Sequence, residues 1–202
     1  EPGGDGAEGR PAGATNWPVT PDARPVACNS LGFRARQEGD LGLARSLHEE
    51  ALSWYRTIEW LGGTAVALAG LAAVAHSEGD LERAEALYGQ GLDDADTSGD
   101  GHGLAVVLEG IAALAVGSAH GARAGLLLGA ANAIRVQDAL QRTPVEQRDV
   151  DRIRDIGAAT VGRDRFWDAI HEGEGASRAD AVGLAREVLG TRSSSPAAVG
   201  ND

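Results

Sequence analysis

Residues 36–52 read RQEGDLGLARSLHEEAL, and residues 76–92 read HSEGDLERAEALYGQGL. Glu38-Gly39-Asp40-Leu41 recurs as Glu78-Gly79-Asp80-Leu81, 40 residues on. Glycine tolerates the left-handed backbone that ends a helix. An aspartate just after it can cap the next helix by accepting from backbone N–H groups that have no intrahelical partner, which contributes about 1 kcal/mol. The tetrapeptide therefore predicts a helix stop followed at once by a helix start.

The residues around it repeat as well. Leu31, Ala35, Ala44, His48 and Ala51 become Leu71, Ala75, Ala84, Tyr88 and Gly91, then Ile111, Ala115, Ala124, Leu128 and Ala131. Apolar and small residues recur at three- and four-residue spacing, the period of a helix face, and strand-like alternation is absent. Each unit reads as two antiparallel helices. Gly32, Ala35 and Ala44 let the pair approach closely, while His48, Tyr88 and Leu128 fill the space between units. In the third unit Ser118-Ala119-His120 replaces Glu-Gly-Asp, so that turn needs a different cap.

The pattern Leu-Gly-x-x-Ala, Gly-Asp, Ala-x-x-x-(His/Tyr)-x-x-Ala resembles the tetratricopeptide repeat, in a form longer than its usual unit. The stretches EGDLERAEALYGQGL and GARAGLLLGAANAIR, with the residues from Thr143 to Leu189, resemble the C-terminal arrays of large actinobacterial LuxR and AfsR/SARP-type ATPase transcriptional regulators. The resemblance implies an all-α, tetratricopeptide-like solenoid of helical hairpins, three repeats of about 40 residues followed by capping helices. The expected division is a disordered arm at 1–22 and repeats across 23–140, at about 25–60, 62–98 and 102–140. Capping helices follow at 143–190 and a disordered tail at 191–202. Thr143-Pro144-Val145-Glu146 reads as a capping box with proline at the first helical position. Val150, Ile153, Ile156 and Val161 form an apolar stripe after it. Phe166, Trp167 and Ile170 anchor a short helix, and Ser177-Arg178-Ala179-Asp180 opens a last one with Val182, Ala185 and Leu189 inward.

Composition bounds the function. Charged residues make up 24% of the chain and the net charge is −12, a poor match for a phosphate backbone, so direct nucleic-acid binding is not expected. All 18 basic residues are arginine, which removes Schiff-base and phosphate-loop lysines. Cys28 is the single cysteine and reads as a buried thiol. No apolar run reaches the roughly 20 residues of a membrane span, and no signal peptide is visible, so a cytoplasmic protein without membrane contact is expected. Methionine is absent, the first residue included, which suggests a fragment of a longer protein.

Motifs with chemistry are weak. Asp94 to Gly101, DADTSGDG, starts like a calcium loop, but Ala105 stands where a bidentate glutamate belongs. The repeat alignment makes this segment an inter-repeat loop. The histidines lack metal-site spacing, HEGEG at His171 lacks the second histidine of a zincin, and GDGHG lacks the lysine of a phosphate loop. No catalytic residue, metal or cofactor is expected.

Binding is the favoured class. By the same resemblance, the concave groove is lined by Asn29, Phe33, Arg36, Ala69, Ala73, His76, Glu109, Ala113 and Val116. Asn29, Arg36, His76 and Glu109 would fix polar groups and Phe33 would supply apolar area. Val66, Gly70 and Val106 stand near the positions of a carboxylate clamp for acidic peptide ends, so that clamp is not expected. The expected function is a non-catalytic interaction or sensor domain of a bacterial regulator. It would bind a partner protein, modules of its parent chain or a small-molecule effector. The alternative is a small helical binding protein or enzyme using the same groove.

Overall fold

The computed structural model describes residues 23–118 and 120–193. The arm expected at 1–22 lies outside them, as does the tail from 194 onward. The described residues are helical throughout, with no strand. Three hairpins come first: α1 (Arg24–Glu38) with α2 (Leu41–Thr57), α3 (Leu61–Glu78) with α4 (Leu81–Ser98), and α5 (Gly101–Ala115) with α6 (Gly121–Gln137). Then follow α7 (Pro144–Val161), α8 (Arg163–Glu174) and α9 (Arg178–Ser193). No helix among the described residues is long and apolar enough to cross a membrane.

The repeated tetrapeptide does what its residues dictate. Gly39 and Gly79 hold φ at 90° and 82°, where an L-residue's Cβ would be strained. Asp40 N–H donates to the Ala35 carbonyl at 2.9 Å and Asp80 N–H to that of Ala75 at 3.0 Å, closing each first helix. The two aspartate carboxylates then accept from Leu43 N–H at 2.9 Å and Arg83 N–H at 3.1 Å. At the third turn Ser118 takes over. Its hydroxyl donates to the Ala115 carbonyl at 2.7 Å and accepts from His120 N–H at 3.1 Å. The segment expected as a loop at Asp94–Gly101 is mostly the last turn of α4. Its apolar spacing carries the helix to Ser98, Gly99 turns the chain, and Asp100 caps α5 through Gly103 N–H at 2.6 Å.

Neighbouring hairpins lock by a bulky side chain meeting glycine. His48 of α2 lies against Gly32 and Gly70, where an added Cβ would sit 2.7 and 2.3 Å from its ring. Tyr88 of α4 repeats this against Gly110, at 2.3 Å. Leu128 is 1% exposed, in the same buried core as Ile111, Ile153, Phe166 and Ile170. The repeat alignment does not hold everywhere. Leu71 and Ile111 are buried, but Leu31 is 51% exposed, because α1 has no hairpin before it among the described residues.

The last helices take two different paths. The α8 helix lies on α6 with backbone nearly touching backbone: a Cβ on Gly129 would meet the Ile170 carbonyl oxygen at 2.0 Å. The α9 helix packs across α4, α5 and α6, with the Arg178 guanidinium donating to the Ala95 carbonyl at 3.1 Å. By contrast, α7 departs from the capping role expected for it. It runs back over the stack and reaches α1 as well as α5 and α6. Trp167, expected as an anchor, is 37% exposed; the Arg154 guanidinium stands 5.5 Å from its ring centroid, and the buried Phe166 ring lies against Gly157.

Candidate functional site

The first helices of the three hairpins line one face, and α7 roofs it. Ala69 and Ala73 on α3, with Gly110 and Ala113 on α5, carry too little side chain to fill the space beneath α7. A cavity of about 580 Å³ remains, walled at one end by Phe33 and Arg36 of α1 and roofed by Asp149, Ile153 and Ile156 of α7. Its size falls within the range of small-molecule sites. The first two turns of the roof are tied to α1. Arg36 Nη2 donates to Asp149 Oδ2 at 2.5 Å, and the Gln37 amide donates to the Val145 carbonyl at 2.8 Å. Arg148 Nε returns a bond to Gln37 Oε1 at 2.9 Å.

The first turn of α7 is also held by a buried charge network. Arg135 of α6, 3% exposed, donates to Glu109 of α5 from Nε and Nη2 at 2.8 and 3.0 Å, and to Glu146 of α7 at 3.1 Å. Arg142 also donates to Glu109, at 2.9 Å, and to Asn132 Oδ1 at 2.6 Å. Such a network satisfies groups whose burial would otherwise be costly. Burial pushes the Glu146 carboxyl up, but the Arg135 charge and the Thr143 N–H bond outweigh it and hold the group below its ordinary value. Thr143 and Glu146 form the expected reciprocal capping box.

Of the residues expected to line the groove, Phe33, Arg36, Ala69, Ala73, His76, Glu109, Ala113 and Val116 all border this cavity. Asn29 does not. It is buried one helical turn away, where its Oδ1 lies 3.0 Å from His48 Nδ1. Glu109 borders the space, and its carboxylate accepts from Arg135 and Arg142. The stripe reading of α7 had Val150 and Ile153 right as buried residues, yet Glu146, Asp149, Arg152, Ile153 and Ile156 were missed as cavity residues. Their signal was the charged pair Asp149 and Arg152, one turn apart beside an apolar stripe.

The hydroxyls of Ser77 and Ser118 at the cavity donate to main-chain carbonyls of the preceding turns, at 2.8 and 2.7 Å. His48, near Phe33 in an edge-on contact at 4.8 Å, is held down to about 4, first by burial and then by the Arg36 charge. Burial likewise pushes the Tyr88 hydroxyl up. Among the described residues no three His, Cys, Asp or Glu side chains are grouped to hold a metal ion. Compared with known proteins, the chain matches no family model, no curated protein and no solved structure.

Proposed function

We propose that this chain is a non-catalytic sensor domain, a tetratricopeptide-like array of a bacterial regulator that takes a small effector between its first helices and α7. The reading rests on one observation above all: the face a repeat array would offer to a partner is crossed by α7, leaving a partly open space of about 580 Å³ beneath it. A partner peptide would have to displace α7 and its bonds to Arg36 and Gln37. A small molecule would not. The tie to regulators of the LuxR and AfsR/SARP kinds rests on the repeat and terminal stretches of the sequence, and the net charge of −12 fits a segment that leaves DNA to another module.

Signalling follows if the effector binds differently when α7 is docked and when it is not, since a ligand shifts an equilibrium only by its differential affinity. The test is native mass spectrometry of the chain after exposure to bacterial cell extract. Wild type is expected to retain a stoichiometric small molecule, and Ala113→Trp, which fills the cavity, to lose it while keeping its circular dichroism spectrum. A chain that emerges at its bare mass from every extract refutes the reading.

A further inference from the structure

The side chains that fill the space between hairpins differ in whether the fold uses their polar atoms. In the first hairpin His48 Nδ1 lies 3.0 Å from Asn29 Oδ1. In the second, Tyr88 takes the place of His48 and Ala69 that of Asn29, so the polar partner is lost. In the third, Leu128 has no polar atom to serve, and Glu109, at the place of Asn29, accepts from Arg135 and Arg142. The Tyr88 hydroxyl has no hydrogen bond to any described residue. Its oxygen is nonetheless not one of the side-chain atoms sealed away without a partner, as Arg36 Nε and His48 Nε2 are. Tyr88 is 1% exposed and borders the cavity, and its hydroxyl end lies over Gly110, another lining residue. Burial keeps the group protonated, so it stands there as a donor. Phenylalanine would fill the same space without an unbonded hydroxyl, which costs stability when buried.

Charge does not pick out an ionic ligand. The lining holds Arg36 and Arg152 against Glu109, Glu146 and Asp149, and each of these carboxylates is bonded to an arginine. Ser77 and Ser118 spend their protons on main-chain carbonyls, and His76 in the same wall is already engaged.

We propose that the ligand is an uncharged, largely apolar carbonyl compound, its carbonyl oxygen accepting from the Tyr88 O–H and its body lying along Ala69, Ala73, Ala113 and Ile153. A carbonyl supplies the acceptor that the hydroxyl lacks and asks for no counter-charge. An anion would meet Glu109, Glu146 and Asp149, and a cation would meet Arg36 and Arg152. A pure hydrocarbon would cover the hydroxyl and leave it unbonded, which is the costly case. This deepens the effector reading and rests on it.

The test is equilibrium dialysis of the chain with 2-octanone and with 2-acetonaphthone, each beside the alkene in which a methylene group replaces the carbonyl oxygen, 2-methyloct-1-ene or 2-isopropenylnaphthalene. At least one ketone is expected to bind one to one, about tenfold tighter than its alkene, and the better ketone tells an alkyl body from an aromatic one. Tyr88→Phe removes only the oxygen. It should weaken that ketone about tenfold, leave the alkene unchanged and keep the wild-type melting temperature, since no bond within the chain is given up. A clear fall in melting temperature would show that the hydroxyl is bonded within the chain, and overturns the proposal. So does failure of both ketones to bind, or a ketone that binds wild type and Tyr88→Phe alike. If ketones and alkenes bind equally and Ala113→Trp removes both, the effector cavity stands and only its carbonyl selectivity falls.

Discussion

Arg36 and Asp149, 113 residues apart in sequence, share a 2.5 Å hydrogen bond that ties the first described helix to the seventh. The Arg36 side chain is 13% exposed and that of Asp149 32%, so the pair lies between the surface case, worth little, and the buried one. Asp149→Ala should cost about 1–2 kcal/mol by that interpolation. More tellingly, it should raise hydrogen exchange in α7 well above that in α3. Equal exchange increases in both helices would mean that the bond does not pin the roof.

Glu109→Ala should cost more. It strands Arg135, 3% exposed, with Glu146 alone, and removal of one member of a buried ion network costs about 3–5 kcal/mol. Replacing Glu109 and Arg135 together by Met should cost less than the sum of the two single losses, since their mutual pairing is counted in both, although Glu146 then lacks its arginine and Arg142 its carboxylate. Urea denaturation of the two single variants and the double one gives the coupling; a double variant as unstable as the sum of the singles contradicts the network.

The fit of ring to glycine should be strict. Gly110→Ala puts a Cβ 2.3 Å from the Tyr88 ring, and overpacking of a filled core costs about 1–3 kcal/mol. Adding Tyr88→Leu, the residue found at the equivalent position 128, should restore part of the melting temperature. No recovery in the double variant would show that α5 and α4 can separate without penalty.

His48 sets a pH dependence. It is neutral in the folded chain until about pH 4, whereas in the unfolded chain it takes a proton near 6.5. The unfolded state therefore binds more protons between those values. Its contribution is fully present above pH 6.5 and is lost as pH falls toward 4, by about 3 kcal/mol at 1.36 kcal/mol per unit. The Glu146 carboxyl, held below its ordinary value, adds a loss in the same direction at lower pH. Unfolding curves from pH 7 to 4 should show the decline, and His48→Leu should flatten its upper part.

Much of this was legible in the sequence because it is local. Gly39-Asp40 and Gly79-Asp80 specify a stop and a start from backbone chemistry alone, and Thr143 to Glu146 carries its own capping box. The spacing from His48 to Tyr88 to Leu128 located the bulky residues between hairpins. The path of α7 was not legible. Its apolar stripe shows that one side is buried, but the same stripe suits the end of a stack or its open face. What selects the face is a set of distant partners of its first two turns, Gln37 and Arg36 of α1 and Arg135 of α6, the last held in place by Glu109. Asn29 was misplaced for a related reason: the resemblance puts it in the groove, while the buried His48 ring lies 3.0 Å from its Oδ1 inside the first hairpin.

Hairpins stacked in a row normally interact only with their neighbours, so such rows unfold from their ends. Here α7 joins the first hairpin to the third, and the row becomes a ring. Fraying of α1 must break the bonds of Arg36 and Gln37 to α7, and release of α7 exposes Ile153 and the charge network. The stack is therefore expected to melt as one body, and among the described helices α7 is the element whose detachment would turn it back into an open row.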